Sequence, residues 1–355
     1  MEILSDESQK RYNKLSLKPF DGEKTYLQPP SQNITMLKLD ENLEKELYIN
    51  NKIEKIPFYH LYFQTIHSKN QLSYVNYNEL QKEEIPLEYW ERVTTSNNNG
   101  NPFILVESSN NLTNSTSIRT YDEWLHKFDN KKELLSNVFN LCFFVLDGLQ
   151  LLKKHNILLL NFSKSNICFN QFGKPFICNL NNCIEKSNLN NISYHFNVIA
   201  PIEISVFDFL KQNTHIHSLS NNQIELIVKK YIDNHIIISN ISSHMREKYY
   251  EDSVKYLQVL TNKPHSYISE FLLKHADSWD NYGFHMFYLK EVLLNNMHTT
   301  TAISFITNDS KVFWKGFIDI FMKNILCNPN ERHNIQQTKS VIENYLYTKM
   351  EHLHV

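Results

Sequence analysis

An α+β fold, with a small strand-rich N-terminal part and a large, mostly helical C-terminal part, is predicted from the sequence of 355 residues. Up to about residue 130, apolar residues alternate with polar ones in short runs, which is typical of half-buried strands. From residue 131 onward they recur at the spacing of an amphipathic helix. A predicted strand hairpin around Gly173 interrupts this helical part, so the chain mixes both kinds of structure.

Two segments of the N-terminal part predict specific elements. NITMLKLDENLEKEL begins with strand alternation and becomes charged and helical, which predicts a strand carrying Lys38 and a helix carrying Glu44 and Glu46. NPFILVESS predicts an apolar strand that runs into a connector at Leu105 to Ser108. Between them, TTSNNNGN at 94–101 predicts a loop tip, because asparagine and glycine suit turns.

A long helix is predicted from Lys131 to His155, with its apolar residues on one broad face. That face consists of Leu134, Leu135, Val138, Leu141, Cys142, Val145, Leu149 and Leu152. Further along, Gln223 to Ile232 and Met245 to Leu260 show helical periodicity most clearly. The C-terminal part is therefore expected to be helical over most of its length.

Composition excludes several classes of protein. A content of 41% hydrophobic and 13% aromatic residues is ample for a packed core, which excludes disorder of the whole chain. A formal net charge of -2 without a long basic or acidic block indicates no nucleic-acid partner. The five cysteines are odd in number and lack CxxC pairs, so neither a disulfide framework nor a zinc site is indicated. A reducing compartment fits this pattern best.

The N-terminal stretch MEILSDESQKRYNK lacks the basic-then-apolar order of a signal peptide. No uninterrupted apolar run approaches the ~20 residues that a membrane-spanning helix needs. We therefore expect a soluble, intracellular, cytoplasmic protein without a membrane span.

The most informative stretch runs from Lys153 to Cys183 and reads KKHNILLLNFSKSNICFNQFGKPFICNLNNC. Two strands, Asn166 to Asn170 and Pro175 to Cys178, are predicted on either side of a turn at Gly173. In protein kinases a helix, a loop reading H-x-D-x-K-x-x-N, a hairpin and the metal-binding D-F-G follow one another in this order. The interval from Asn166 to Asn179 matches the usual kinase spacing.

The chain therefore resembles the eukaryotic-type protein kinase superfamily, and most closely the compact kinases of large DNA viruses. Asn166 matches the metal-binding Asn of the loop, and the residues then standing for its His, base Asp and Lys are Leu159, Asn161 and Ser163. Lys164 lies one position further on and is a candidate for reaching a phosphate as a point charge. The residues that fall on D-F-G are Asn179, Leu180 and Asn181.

Three further positions resemble residues that stabilise the kinase fold. Glu203 in IAPIEI matches the Glu of A-P-E, and Arg332 in NPNERH matches the Arg of D-P-x-x-R. The resemblance implies that these two side chains form a buried ion pair. Asp280 in SWDNYGF matches the Asp that anchors the catalytic loop from a large helix, so we expect it beneath Leu159 to Asn166.

The resemblance implies a two-lobed, protein-kinase-like domain over about residues 15–350. A small strand-rich N-lobe would cover about 15–108, and a large helical C-lobe would cover about 109–350. A helical insertion at about 221–275 would lie between Glu203 and Asp280.

A site for ATP and Mg²⁺ is also implied. Lys38 would contact phosphate and pair with Glu46, with Glu44 as the competing choice, and the backbone around Leu105 and Glu107 would face an adenine ring. A solvent-exposed Lys38 is the alternative. No G-x-G-x-x-G precedes Lys38, so the cradle for the phosphates is missing or replaced.

The residues at Asn161 and Asn179 predict a loss of catalysis. A carboxylate can take a proton from a substrate hydroxyl, whereas an amide is not measurably basic at pH 7. At Asn179 an amide oxygen is a poor substitute for the carboxylate that holds Mg²⁺, which would leave Asn166 and the phosphates as its ligands.

We therefore expect a catalytically impaired kinase homologue, a pseudokinase, that acts as a regulatory or binding module for a protein partner and binds nucleotide weakly at most. The alternative is a divergent active Ser/Thr protein kinase that transfers phosphate from ATP to protein. A third interpretation, from another class, is an all-helical adaptor unrelated to kinases. If the protein is viral, the host cell cytoplasm or the virion is its expected location.

Overall fold

The computed structural model describes residues 34–38, 41–72, 103–108, 119–128, 131–170, 172–191, 200–294 and 308–350. These residues form an α+β structure in which helices predominate and the strands are short, so the predicted α+β class is confirmed. The presence of sheets shows that the all-helical alternative is wrong. The chain packs as two compact units. Unit 1 combines Met1–Asn130 with Ser165–Cys183, and unit 2 combines Lys131–Lys164 with Ile184–Val355.

The larger sheet of unit 1 has three antiparallel strands in the order β1-β3-β2. Its strands are β1 (Ile34–Lys38), β2 (Ile66–Leu72) and β3 (Phe103–Ser108). Helix α1 (Glu41–Ile53) follows β1 directly. The predicted strand carrying Lys38, the helix behind it and the apolar strand at Leu105 are therefore confirmed as elements.

Helix α1 has one buried face, whose residues recur at helical spacing. They are Leu43, Glu46, Ile49, Asn50 and Ile53. Asn50 ties the helix to the sheet, because its Oδ1 accepts the Ile66 N–H at 3.0 Å while its Nδ2 donates to the Glu46 carbonyl at 2.6 Å. The helix also packs against the short 3₁₀ turn Leu180–Asn182.

A second sheet in unit 1 contains the predicted hairpin. Its order is β4-β6-β7, with strands β4 (Arg119–Thr120), β6 (Ile167–Phe169) and β7 (Pro175–Ile177). Gly173 has φ 79, and a Cβ placed there would meet nothing within 4 Å, so the left-handed backbone of the turn is what favours glycine. The hairpin is confirmed, with strands slightly shorter than predicted.

A short helix, α2 (Tyr121–Leu125), follows β4 and covers this sheet. It begins with a capping box, in which Thr120 and Glu123 each satisfy a backbone N–H of the other. Trp124 stacks flat on Phe169, with ring centroids 4.5 Å apart. Cap and stacking together fix the position of this edge of the sheet.

Unit 2 begins with the long helix α3 (Lys131–Lys154), which confirms the predicted helix over Lys131 to His155. Its buried residues include Val138, Leu141, Cys142, Val145, Leu149 and Leu152. Leu134 is half-buried, and the side chain of Leu135 lies outside the described residues. After α3, strand β5 (Ile157–Leu159) pairs with β8 (Cys183–Glu185).

Four helices follow in unit 2, namely α4 (Ile202–Gln212), α5 (Asn221–Asn234), α6 (Ser243–Leu257) and α7 (His265–Leu273). The two segments with the clearest predicted periodicity, Gln223 to Ile232 and Met245 to Leu260, correspond to α5 and to α6, which continues into a 3₁₀ turn at Gln258–Leu260. A capping box between Ser220 and Gln223 sets the start of α5.

Helix α8 (Trp279–Phe287) is the centre of unit 2, and all of its 9 residues are buried. A helix that is buried on every side must be surrounded by other elements. It continues as a π-helix at Tyr288–Leu294, and α9 (Asn308–Leu326) and α10 (Ile335–Met350) complete the unit. Aromatic contacts such as Phe284 with Phe321, at 6.0 Å between centroids, join α8 to α9.

Candidate functional site

The loop after β5 carries the residues predicted at the reacting centre. Leu159, the last residue of β5, is buried, and its N–H donates to Asp280 Oδ2 at 3.0 Å. Asp280 is the second residue of α8 and is also buried. A buried backbone N–H needs an acceptor, and α8 supplies one in its carboxylate. The predicted position of Asp280 beneath this loop is confirmed.

Asp280 has an unusual electrostatic environment. Its other oxygen, Oδ1, is buried and has no hydrogen-bond partner among the described residues. Burial raises the pKa of Asp280 to about 7, and the negative charge of Asp277 also raises it. The hydrogen bond from the Leu159 N–H and the positive charge of Lys153 lower the pKa and partly offset this rise. The carboxyl group supports the backbone of the loop from below, which is a structural task.

Asn161 stands at the predicted position of the catalytic base and has a left-handed backbone with φ 60. Asn and Asp both tolerate this conformation, so the backbone would accept an aspartate here as well. The residue is half-buried and borders a cavity of about 10 Å³ that Ala200 and Trp279 also line. That volume suits a single water molecule. An amide can bind such a water but cannot take a proton from a substrate.

Phe162 anchors the same loop between Asn161 and Ser163. Its side chain is fully buried and meets Phe287 of α8 edge to face, with centroids 5.1 Å apart. Ser163 and Lys164 are half-buried, and Lys164 opens the 3₁₀ turn Lys164–Asn166. Phe162 therefore holds the loop on α8, and the two candidate polar residues follow it directly in the chain.

Asn166 and Asn179, the predicted metal-binding positions, both belong to unit 1. Asn166 is buried, and its Nδ2 donates to the carbonyl of Asn179 at 2.9 Å and to that of Cys178 at 3.3 Å. Asn179 has a left-handed backbone with φ 53 and precedes the turn Leu180–Asn182. The structure therefore brings the two residues together, and the Asn166 amide fixes the backbone carbonyls of Cys178 and Asn179.

The predicted nucleotide-binding strands are neighbours in unit 1. In the β1–β3 pair, Lys38 lies opposite Phe103, Met36 opposite Leu105 and Ile34 opposite Glu107. Glu46 is buried on α1. The side chains of Lys38, Leu105 and Glu107 lie outside the described residues, as does the 94–101 loop, so the orientation of Lys38 stays a prediction.

The predicted ion pair between Glu203 and Arg332 is confirmed and is bidentate. Arg332 donates from Nη1 to Oε1 at 2.7 Å and from Nη2 to Oε2 at 2.9 Å, and both side chains are 0% exposed. Trp279 Nε1 also donates to Glu203 Oε1, at 3.1 Å. The guanidinium lies 4.8 Å from the centre of the Tyr282 ring. The pair joins the start of α4 to the turn before α10.

A buried polar chain next to this pair was not predicted from the sequence. His235 Nδ1 accepts two backbone N–H groups at 3.1 and 3.2 Å, so its Nε2 carries the proton and donates to the Tyr282 hydroxyl at 2.8 Å. The Tyr282 and Tyr231 hydroxyls are 2.8 Å apart, and Tyr231 donates to the Ala200 carbonyl at 3.1 Å. Burial lowers the pKa of His235 to about 3, so the ring is neutral.

Sequence reasoning missed this chain because its members are distant from one another. Tyr282 is 47 residues from His235 and 51 from Tyr231. The one local signal is the spacing of Tyr231 and His235, which are four residues apart on α5 and therefore share a face.

Within the described part of the chain, no group of three or more His, Cys, Asp or Glu side chains is placed to hold a metal ion. That part also contains no helix long and apolar enough to cross a lipid bilayer. No protein-family model matches the chain, and no curated protein matches it.

Proposed function

We propose that this chain is a catalytically impaired protein-kinase homologue, a pseudokinase that serves as a regulatory or binding module. One observation carries the proposal, namely a contrast between two sets of positions in the kinase pattern. The structural set makes its expected contacts, with the buried Glu203–Arg332 pair at 2.7 and 2.9 Å and Asp280 beneath the loop after β5. The reacting set has lost its acids, with amides at Asn161 and Asn179.

The order of elements supports the same proposal. In kinases the phosphate-binding Lys lies on a strand and its Glu partner on the following helix. Here β1 ends at Lys38 and α1 carries the buried Glu46. We propose a two-lobed kinase-like arrangement that divides near residue 108, with α5, α6 and α7 as an insertion at about 221–275.

The expected rate follows from the missing groups. Loss of a general base costs roughly 10²- to 10⁴-fold, and loss of metal-centred charge stabilisation costs on the order of another thousandfold. Working kinases turn over at about 1–100 s⁻¹. The product of these factors places turnover at roughly 10⁻⁷ to 10⁻³ s⁻¹, which is at or below the background of a standard assay.

Nucleotide-dependent thermal stability of the purified full chain, with and without Mg²⁺, tests the proposal. A ligand present at its dissociation constant stabilises the native state by RT ln 2, about 0.4 kcal/mol, which shifts the midpoint of a chain of 355 residues by roughly 0.5 °C. We expect a shift of this size or smaller with ATP, and little change on adding Mg²⁺. Strong Mg²⁺-dependent autophosphorylation that Lys38→Ala abolishes would favour the divergent active kinase instead.

Restoring the acids provides a second test. The double change Asn161→Asp and Asn179→Asp should strengthen Mg²⁺-dependent ATP binding, mainly through position 179, because a carboxylate there can hold the ion. Asn262→Asp is the matched control, since Asn262 has the same left-handed backbone, φ 58, and is exposed on unit 2. Equal effects of the double change and the control would contradict the assignment of position 179.

A further inference from the structure

A groove between α4 and α5 has the size of a ligand site. Its volume is about 340 Å³. Small-molecule sites occupy roughly 300–1,000 Å³. The wall on α4 is formed by Ser205, Asp208 and Gln212, and the wall on α5 by Lys230 and Asn234. On each helix these residues recur three or four positions apart, so each wall is one continuous stripe.

The floor of the groove is rigid. Tyr231 and His235 line it and belong to the buried polar chain that also includes Tyr282. The hydroxyl of Tyr231 is further held by the carbonyl of Ala200, another lining residue. A ligand that binds here meets a surface whose hydrogen bonds are already formed, which reduces the entropy lost on binding.

The walls present the hydrogen-bonding groups that match a peptide backbone. Gln212 Nε2 donates to Asp208 Oδ2 at 2.9 Å, and Asn234 Nδ2 donates to the Lys230 carbonyl at 2.9 Å. Each amide uses one N–H within its own helix. Among the described residues the two amide oxygens have no further partner, so each wall offers an acceptor and a remaining N–H donor. A peptide unit presents the same pair of groups.

The charges of the two walls are opposite. Asp208 on α4 disfavours a polyanion, and Lys230 on α5 disfavours a polycation. Phe209 and Ile227 add apolar surface between them. A ligand with one charge of each sign, separated by an apolar group, satisfies all of these features.

We propose that the groove binds an extended peptide segment of a protein partner, in which an apolar residue lies between an acidic and a basic residue. The acidic residue contacts Lys230, the basic residue contacts Asp208, and the peptide groups bond to Gln212 and Asn234. The inference rests on the proposed function, because it specifies the partner that a binding module of this kind recognises.

Ligand-observed NMR on the purified full chain tests the groove with pools of capped tripeptides. The probe pool has the pattern acidic–apolar–basic, and the matched pools are acidic–apolar–acidic and basic–apolar–basic. We expect the mixed pool to bind at millimolar concentration. Its dissociation constant should be at least tenfold lower than that of either matched pool. Ser205→Trp, which fills the groove, should abolish this binding.

Charge reversal distinguishes recognition from misfolding. Lys230→Glu leaves two acidic groups in the groove, and it should switch the preference to the basic–apolar–basic pool, a gain that an unfolded protein cannot show. Lys229→Glu is the matched control, because Lys229 is the adjacent exposed residue of α5 and does not line the groove. It should leave the preference for the mixed pool unchanged.

Three results would overturn the proposal: no binding of the mixed pool up to millimolar concentration, a preference of the unaltered protein for a matched pool, or binding that Lys230→Glu leaves unchanged. A preference for the acidic pool would identify an anionic ligand instead. None of these results affects the nucleotide-dependent thermal stability or the autophosphorylation that test the pseudokinase proposal, so the failure of either proposal can be recognised separately.

Discussion

Replacing Glu203 by alanine strands a buried guanidinium, and we expect it to lower the free energy of unfolding by about 3–5 kcal/mol. Two hydrogen bonds, at 2.7 and 2.9 Å, are lost at once, and both side chains are 0% exposed, so water cannot replace them. Arg332 Nε already lacks a partner among the described residues. The guanidinium would keep the Tyr282 ring, at 4.8 Å, as its main contact.

The reverse replacement, Arg332→Ala, should lower the free energy of unfolding by about 1–2 kcal/mol less than Glu203→Ala does. Trp279 Nε1 would still donate to Glu203 Oε1, at 3.1 Å. A carboxylate can also relieve its burial by taking up a proton, whereas a guanidinium cannot lose one. Burial alone would lower the pKa of Arg332, but the Glu203 carboxylate raises it above its usual range, so the arginine remains charged.

Urea unfolding followed by tryptophan fluorescence measures these differences, and Trp279 lies beside the pair as a reporter. The double change Glu203→Met and Arg332→Met should cost less than either single change to alanine, because apolar side chains of similar volume can stand in for a buried pair. Lys45→Ala is the control, since it removes an ion pair with Glu41 whose side chains are 62% and 81% exposed. Its effect should be much smaller than that of either buried replacement, because solvent screens an exposed pair.

A loss below about 1 kcal/mol for Glu203→Ala would refute the reasoning, because it would mean that the guanidinium finds water or another partner. A larger loss for Arg332→Ala than for Glu203→Ala would contradict the argument that only the carboxylate can neutralise itself.

Two further predictions concern single residues. The pKa of Asp280 is about 7 in the folded chain against an ordinary value of 3.8, so its contribution to stability is complete below pH 3.8 and is lost as the pH rises to 7. The loss is on the order of 4 kcal/mol, at about 1.4 kcal/mol per pKa unit, and Asp280→Asn should remove this pH dependence. Free energies of unfolding of both proteins from pH 4 to 8 measure it. A difference between the two proteins that does not change with pH would contradict the prediction. Gly173→Ala should cost about 1 kcal/mol in the same unfolding assay, because φ 79 strains an alanine although nothing lies within 4 Å of its Cβ. Gly173→Asn should cost less, and an equal loss for both would argue against backbone strain as the cause.

Elements whose signal is local in the chain could be predicted from the sequence. The apolar period of α3 and the turn at Gly173 were readable because helical spacing and a left-handed turn are properties of a few consecutive residues. The Glu203–Arg332 pair, 129 residues apart, was predicted through the kinase resemblance of two short motifs. Neither spacing nor composition points to such a pair without that resemblance.

Other features depended on which distant residues meet. The sequence contains the amides at Asn161 and Asn179, but the hydrogen bonds from Asn166 to the carbonyls of residues 178 and 179 could be seen only in the folded chain. Chemistry that depends on residue type, such as the lack of basicity of the Asn161 amide, can be predicted from a sequence because a side chain keeps its functional group wherever it lies.

The raised pKa of Asp280, the neutral His235 and the groove between α4 and α5 belong to the tertiary structure. Each depends on burial or on the approach of helices from different parts of the chain. No consecutive run of residues contains that information, because desolvation and charge complementarity arise between groups that only folding brings together.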